Sequence, residues 1–207
     1  MSKKTTKKQS GKSGAKRGQL IVIDGIDGSG KATQVKLLGA RLKKAGVLVK
    51  TIDFPRYESN FFGGLIGEYL SGKFGDFIEV DPRIASVLYA GDRFESSAQI
   101  REWLDAGYIV IADRYVSANQ IHQGGKLDNA GERDEFLKYL DTLEHKIFGI
   151  PRPDLVIFLD VPFEVSKEWL QQKIAIRKKK YLKDSIAPTN QDLPLRVLGW
   201  DYRLPKK

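Results

Sequence analysis

The 207-residue chain has no cysteine and only two histidines. Disulfide scaffolds, thiolate chemistry and the usual zinc ligand sets are therefore excluded, and a reducing compartment such as the cytoplasm is expected. Its longest uninterrupted apolar runs, such as Leu20–Ile23 and Ile109–Ala112, fall far short of the roughly 20 residues that span a bilayer, so no membrane crossing is expected. Acids are absent from residues 1–18, which hold seven of the 35 Lys and Arg and leave 28 bases against 26 acids elsewhere. The net charge of +9 thus belongs mostly to the tail, and no specific nucleic-acid partner is expected of the nearly neutral body. With Ser, Thr, Gly and Lys but no apolar stretch, residues 1–18 are expected to form a disordered extension, either solvated or a weak anchor to a polyanion, and lack the core of a secretory leader. Residues 19–207 are of a size for one domain with its own core.

From Gln19 the pattern reads strand, glycine turn, helix. Leu20–Ile23 is apolar throughout; Gly25, Gly28 and Gly30 follow; then Val35, Leu38 and Leu42 mark one helical stripe ending near Gly46. Residues 47–52 read as a second strand. Asp81-Pro82 predicts a helix start, with Ile84, Val87 and Leu88 on the core face and an end near Leu104. Residues 108–112 and 155–159 are two more strands, and Phe136, Leu140, Leu143 and Ile147 mark a long helix between them. A further helix is expected beyond Pro162. Strands apolar on both faces and separated by helices imply an α/β fold of three layers, α/β/α, around a parallel sheet.

Gly25-Ile26-Asp27-Gly28-Ser29-Gly30-Lys31 satisfies G-x-x-x-x-G-K directly after an apolar strand and at the start of a helix, the context a P-loop needs. Glycines let successive N–H groups approach phosphate oxygens, the helix N-terminus adds positive potential, and Lys31 is placed to bridge the β- and γ-phosphates of a bound nucleotide. Ala32 stands where a Ser or Thr usually ligates Mg²⁺, so Mg²⁺ would be held mainly by phosphates and water, with Thr33 able to touch a phosphate. Asp113-Arg114 ends the third apolar strand, where ligands bind in open α/β sheets. There a carboxylate can organise Mg²⁺ and a guanidinium can grip a second phosphate, or the pair can merely cap the next helix. No Asn-Lys-x-Asp guanine signature follows.

In order along the chain, residues 24–31, Phe54-Pro55-Arg56-Tyr57, Leu88-Tyr89-Ala90-Gly91-Asp92-Arg93, Asp113-Arg114-Tyr115 and His122-Gln123-Gly124-Gly125-Lys126 resemble the thymidylate kinases, P-loop enzymes that move the γ-phosphoryl of ATP onto dTMP. The resemblance extends from Gln19 to about Pro162. It implies an ATP site at Gly25, Asp27, Gly28, Ser29, Gly30, Lys31, Ala32 and Thr33, with Mg²⁺ near Asp113. It also implies a dTMP site at Asp27, Phe54, Arg56, Tyr89, Arg93, Arg114, Asn119 and Gln123. In that scheme Asp27 faces the sugar hydroxyl, and Arg56 and Arg114 hold the acceptor phosphate. Tyr89 stacks on thymine, the alternative being helix packing, while Arg93 reaches a base carbonyl, and Asn119 and Gln123 read the pyrimidine edge and guard the sugar. Catalysis would rest on Lys31, Arg56, Asp113 and Arg114. Ala118 and His122 stand where relatives carry Ser and Tyr or Phe, and His122 reads equally as a loop histidine.

Arg177, Lys178, Lys179, Lys180 and Lys183 lie where the family places a basic lid, here about residues 176–190, with Arg177 toward ATP; a solvated charge run is the alternative. Beyond Asp192 the apolar residues are too few for the family's last helix and fifth strand, so that strand is expected to be missing or irregular. A homodimer is implied by the resemblance alone. Two other functions stay open: a kinase for another deoxynucleoside monophosphate, and a nucleotide-binding protein of little activity.

Overall fold

The computed structural model describes residues 17–76 and 79–180, with side chains given to residue 172. The expected tail up to residue 16, Lys183 and the whole C-terminal segment lie outside the described residues, and of Arg177 only its place on the last helix is described. Arg17 and Gly18, read as the end of the tail, are tied to the body: Arg17 Nη1 lies 3.7 Å from Asp154 Oδ1 and the Gly18 N–H donates to Leu104 O at 2.7 Å.

The order is β1 (Leu20–Gly25), α1 (Lys31–Lys44), β2 (Val49–Asp53), α2 (Phe61–Leu70), α3 (Pro82–Asp105), β3 (Ile109–Asp113), α4 (Val116–His122), α5 (Ala130–Leu140), β4 (Leu155–Leu159) and α6 (Phe163–Lys180). Four parallel strands stand in the order β2-β3-β1-β4, with Leu20 level with Val110, Ile21 with Leu155, and Asp53 with Asp113. The chain leaves β1 for β2, returns to fill the gap with β3, then crosses to the far side for β4. The order therefore reverses at β1, and ligands of open α/β sheets bind beyond the strand ends at such a reversal.

Alternation along each strand divides the core. Ile23 and Ile111 turn to one face and pack with Val35, Leu38 and Leu42 of α1. Leu20, Val22, Val110 and Ala112 turn to the other, against Ala90, Ile100 and Leu104 of α3 and against Leu143 and Ile150. Each fully buried Leu or Val contributes about 1.5–3 kcal/mol. The expected α/β/α sandwich is thus the architecture found.

Asp81 caps α3 as expected, its Oδ1 accepting from the Arg83 N–H at 2.8 Å ahead of Pro82. Four expectations need correction. The second strand begins two residues later than predicted, at Val49, and Leu48 is exposed. Ile84, assigned to the core face, is 63% exposed. The inward face of α3 runs instead through Ala85, Ser86, Ala90, Arg93, Ser97 and Ile100, so small and polar side chains fill it and apolar periodicity points one residue astray. Ile147 is likewise exposed at 68%, because α5 widens after Leu140 into π-type turns over Asp141–Ile147. At more than four residues per turn the inward position falls on Glu144, which is 0% exposed, and Ile147 rotates outward. Finally, β4 is not covered on both faces by described residues: Leu155, Val156 and Phe158 remain 37–51% exposed.

Candidate active site

β1 delivers the chain to the P-loop with its carboxylate end already fixed. Asp24 is fully buried; Oδ1 accepts from the Gly25 N–H at 2.8 Å and Oδ2 from Ser117 Oγ of α4 at 2.5 Å. The loop then turns through Gly28 at φ 83° and Gly30 at φ 87°, the latter in the left-handed region where α1 begins. A Cβ at Gly28 would also come within 2.4 Å of the Ser166 carbonyl on α6, so conformation and space both demand glycine. Lys31 opens α1 almost completely buried, and its Nζ donates back to Gly25 O at 2.9 Å and Ile26 O at 2.8 Å. Burial, and after it the charge of Arg114, push this ammonium down to about 8 against the pull of Asp27, Asp24 and Asp113. Ala32 and Thr33 lie exposed on the first turn of α1.

Arg114 approaches from β3. It has φ 65°, the one non-glycine in the left-handed region among the described residues, a cost tolerated where geometry matters more than strain. Its N–H donates to Ile23 O at 3.0 Å, Nη1 bonds His122 Nε2 at 2.7 Å, and Nη2 pairs with the Asp27 carboxylate of the P-loop. Burial drives His122 down to about 4, with Arg114 adding to the effect, so the ring is neutral and its Nε2 accepts from the guanidinium. For Asp27, partial desolvation pushes the carboxyl up, but Arg114, His122 and Lys31 together outweigh it and hold it below the ordinary carboxylate range. Asp113 moves the other way: burial raises it, and Lys31 and Arg114 offset this only in part, with Asp53 and Asp24 opposing them. Lys31, Asp27, Asp113 and Arg114 therefore belong to one electrostatic unit at the sheet reversal.

The second group of expected residues sits on α3, α4 and the loop after β2. Phe54 is buried, its ring centroid 5.7 Å from that of Tyr115, and a cis peptide joins it to Pro55. The next residue, Arg56, is fixed through its backbone: the N–H donates to Asp92 Oδ2 at 3.0 Å, while Asn60 Nδ2 bonds both Asp92 O and Oδ1. Its guanidinium makes no ion pair among the described residues. Asp92 lies within a matched motif but carried no expected role; it clamps the Arg56 loop onto α3. Tyr89 is half-buried on α3, and burial, then Tyr57 and Tyr69, raise its phenol above the ordinary range.

Arg93 lies one turn further on and is 2% exposed. Its Nε and Nη2 each donate to Glu144 at 2.6 Å and Nη1 to Tyr115 O at 3.2 Å. Asn119 Nδ2 joins the same carboxylate at 2.9 Å and reaches Ser86 O at 3.3 Å. Gln123 is buried, and its Oε1 has no hydrogen-bond partner among the described residues. Glu144 and Ser117 were missed from sequence. Neither sits in a motif, and a glutamate on an amphipathic helix ordinarily faces water.

The donor set suits a hard cation. Asp113 is one desolvated carboxylate beside the P-loop, and Mg²⁺ characteristically takes one or two carboxylates and completes its shell with phosphates and water. Among the described residues no larger cluster of His, Cys, Asp and Glu competes for it.

Comparison with known proteins converges on one group. The thymidylate kinase family model matches residues 23–187, running past Pro162 into the basic segment. The probable thymidylate kinase of Pyrobaculum aerophilum is 34% identical over 164 residues, 78% of this chain and 74% of that protein. The thymidylate kinase of Mycobacterium tuberculosis is 34% identical over 151 residues, 72% of this chain and 69% of its own. Among solved structures, Candida albicans thymidylate kinase superposes with a TM-score of 0.58 at 32% identity, covering 82% of this chain and 79% of that one, and is described as having broad substrate specificity. A glycine cradle and a guanidinium meeting across the P-loop, on a sheet of this order and with relatives of this kind, place the chain in the thymidylate kinase family.

Proposed function

We propose that the protein transfers the γ-phosphoryl group of ATP to dTMP, giving ADP and dTDP, a step toward dTTP. The observation that carries this is the contact between Arg114 and Asp27, which brings a guanidinium from the end of β3 onto the same loop that holds Lys31. A donor phosphate cradled at 25–33 and an acceptor phosphate gripped by Arg56 and Arg114 would then face one another. An oxygen of the dTMP phosphate attacks the γ-phosphorus as the bond to the β-bridging oxygen breaks, and ADP leaves with that electron pair. Lys31 compensates charge on the β- and γ-oxygens, and the two arginines compensate it on the acceptor side; positioning and charge supply the rate, with no covalent enzyme intermediate. Asp113, with nucleotide phosphates and water, would hold Mg²⁺, which supplies further charge neutralisation when bound.

On the acceptor side, Tyr89 would stack on the base while Arg93, Asn119 and Gln123 read its edge. Phe54 lines the pocket and Asp27 receives the sugar hydroxyl. Arg177 and the lysines after it would close over ATP. No helix among the described residues is long and apolar enough to cross a membrane. Ile84 and Phe94 of α3 are at least half-exposed, consistent with a homodimer through the flanking helices, which sedimentation would reveal as twice the monomer mass.

The deciding experiment is ADP release with ATP, Mg²⁺ and each nucleoside monophosphate in turn. Release fastest with dTMP, with dTDP as product, supports the assignment. Binding of both nucleotides without diphosphate formation would reduce the protein to a nucleotide binder, and faster turnover of another monophosphate would reassign its substrate.

A further inference from the structure

Glu144 is 0% exposed and carries a carboxylate into the core from the widened turn after α5. Burying such a charge is costly unless it is paired and hydrogen-bonded. Both oxygens are engaged: Oε2 by Arg93 Nε, and Oε1 by Arg93 Nη2 and Asn119 Nδ2, at 2.6–2.9 Å. Its carbonyl accepts from the Ile150 N–H at 2.8 Å. One side chain therefore locks together α3, α4 and the turn. Asn119 spends both N–H groups of Nδ2, on Glu144 and on Ser86 O, but Arg93 is not consumed. Nε, Nη2 and Nη1 of Arg93 each use one N–H, on Glu144 or on Tyr115 O, which leaves one N–H on each terminal nitrogen of the planar guanidinium. One turn beyond Asn119, and bonded to its carbonyl through the backbone at 3.0 Å, Gln123 holds its buried Oε1 with no partner among the described residues. Spare donors fixed by one hidden anion, and a spare acceptor one turn beyond the asparagine that shares it, suit a ring that offers both carbonyl oxygens and an N–H.

We infer that Glu144 is a positioning residue for the acceptor base: it holds Asn119 and orients Arg93 so that the unused N–H groups of the guanidinium, with Gln123 Oε1, select a pyrimidine bearing carbonyls and a ring N–H. The inference rests on the function proposed above. Glu144 never meets the nucleotide; it sets the plane of the guanidinium that does.

The test compares two probes in wild type and Glu144→Gln: dTMP, and deoxyribose 5-phosphate, which keeps phosphate and sugar but has no base. Glu144→Gln is expected to weaken dTMP binding at least about tenfold while deoxyribose 5-phosphate binding stays within about twofold. In turnover, KM for dTMP rises with it, whereas KM for ATP and kcat at saturating dTMP change by less than about threefold. Glu144→Asp, which keeps the charge but draws it back one methylene, should recover part of the loss. Equal weakening of both probes means a general structural role and overturns the inference, as does unchanged dTMP binding. If the Gln variant does not fold, the wild-type Arg93 Nε–H resonance, assigned by its loss in Arg93→Lys, decides: it should move with dTMP but not with deoxyribose 5-phosphate, and movement with both or with neither is a refutation. Wild type that fails to phosphorylate dTMP defeats both proposals; wild type that succeeds beside an unaffected Glu144→Gln defeats only this one.

Discussion

The donor and acceptor halves of the site are built by different means. Around Lys31 the working groups lie in one short loop joining a strand to a helix, and geometry follows from local conformation: left-handed φ at Gly28 and Gly30, and a helix that begins at the lysine. Around Arg93 the groups come from two helices and a widened turn, spaced 25 to 51 residues apart and held by a single buried carboxylate. A local cradle tolerates change in the rest of the fold, whereas a dispersed one transmits every disturbance of packing to its ligand. Substitutions on the donor side should therefore act on the chemical step, and those on the acceptor side on KM and on choice of base.

The largest effect is expected at Lys31. Lys31→Met should lower kcat about 10²–10³-fold, the scale of losing one preorganised charged donor, with the fold intact by circular dichroism. Its titration sharpens the point. Burial and Arg114 push the ammonium down to about 8, so kcat/KM for ATP should fall as pH rises through that value, the neutral amine being useless to a phosphate. In Lys31→Arg the guanidinium stays charged and the break should vanish, whatever the remaining rate. A break persisting in the arginine variant would locate the titration elsewhere.

Next comes Arg114, where the two halves touch. Arg114→Lys keeps a positive charge but loses the fork that joins His122 to Asp27; kcat/KM for dTMP should drop about 10–100-fold while KM for ATP changes little. An equal loss for both nucleotides would mean that Arg114 serves the P-loop rather than the acceptor. His122 gives a smaller effect, readable in stability. Its folded value lies near 4, below the ordinary 6.5, so the unfolded chain binds a proton in that interval and the native state does not. The stability it confers is complete above about 6.5 and is lost as pH falls toward 4. His122→Gln should flatten the decline of Tm between pH 6.5 and 4.5; an unchanged slope would place the ring in water.

How much of this could be read from residues alone follows the same division. The P-loop, the sheet and the start of α3 at Asp81-Pro82 were legible because each depends on neighbours in sequence: glycine spacing, unbroken apolar runs, a cap followed by proline. Arg56 and Arg93 were reached only through resemblance to a family, whereas Arg114 was already marked by its place at the end of an apolar strand. Glu144 was not reachable, since nothing local distinguishes it from Glu135 on the exposed face of the same helix. Ser117 escaped because its partner, Asp24, lies 93 residues away. Ile84 and Ile147 misled because helix faces here bury serine, arginine and glutamate whose polar atoms find partners inside, and in the case of Ile147 because the helix widens, so apolar side chains no longer mark the inside.

That reversal yields the smallest and most specific expectation. If α5 truly widens after Leu140, Ile147→Ser exchanges one exposed side chain for another and should alter stability by no more than about 0.5 kcal/mol. Leu140→Ala, one element earlier and fully buried, should cost about 2–5 kcal/mol. Urea denaturation of the two variants separates the cases. A loss above about 2 kcal/mol for Ile147→Ser would put that side chain in the core, which requires ordinary helical pitch through Asp141–Ile147. At that pitch the inward stripe that continues Phe136, Leu140 and Leu143 would pass through Ile147, Glu144 would be turned from its place at the centre of the buried face, and Arg93 would be left without its anion. A silent substitution on the surface thus tests whether the acceptor half can be assembled as described.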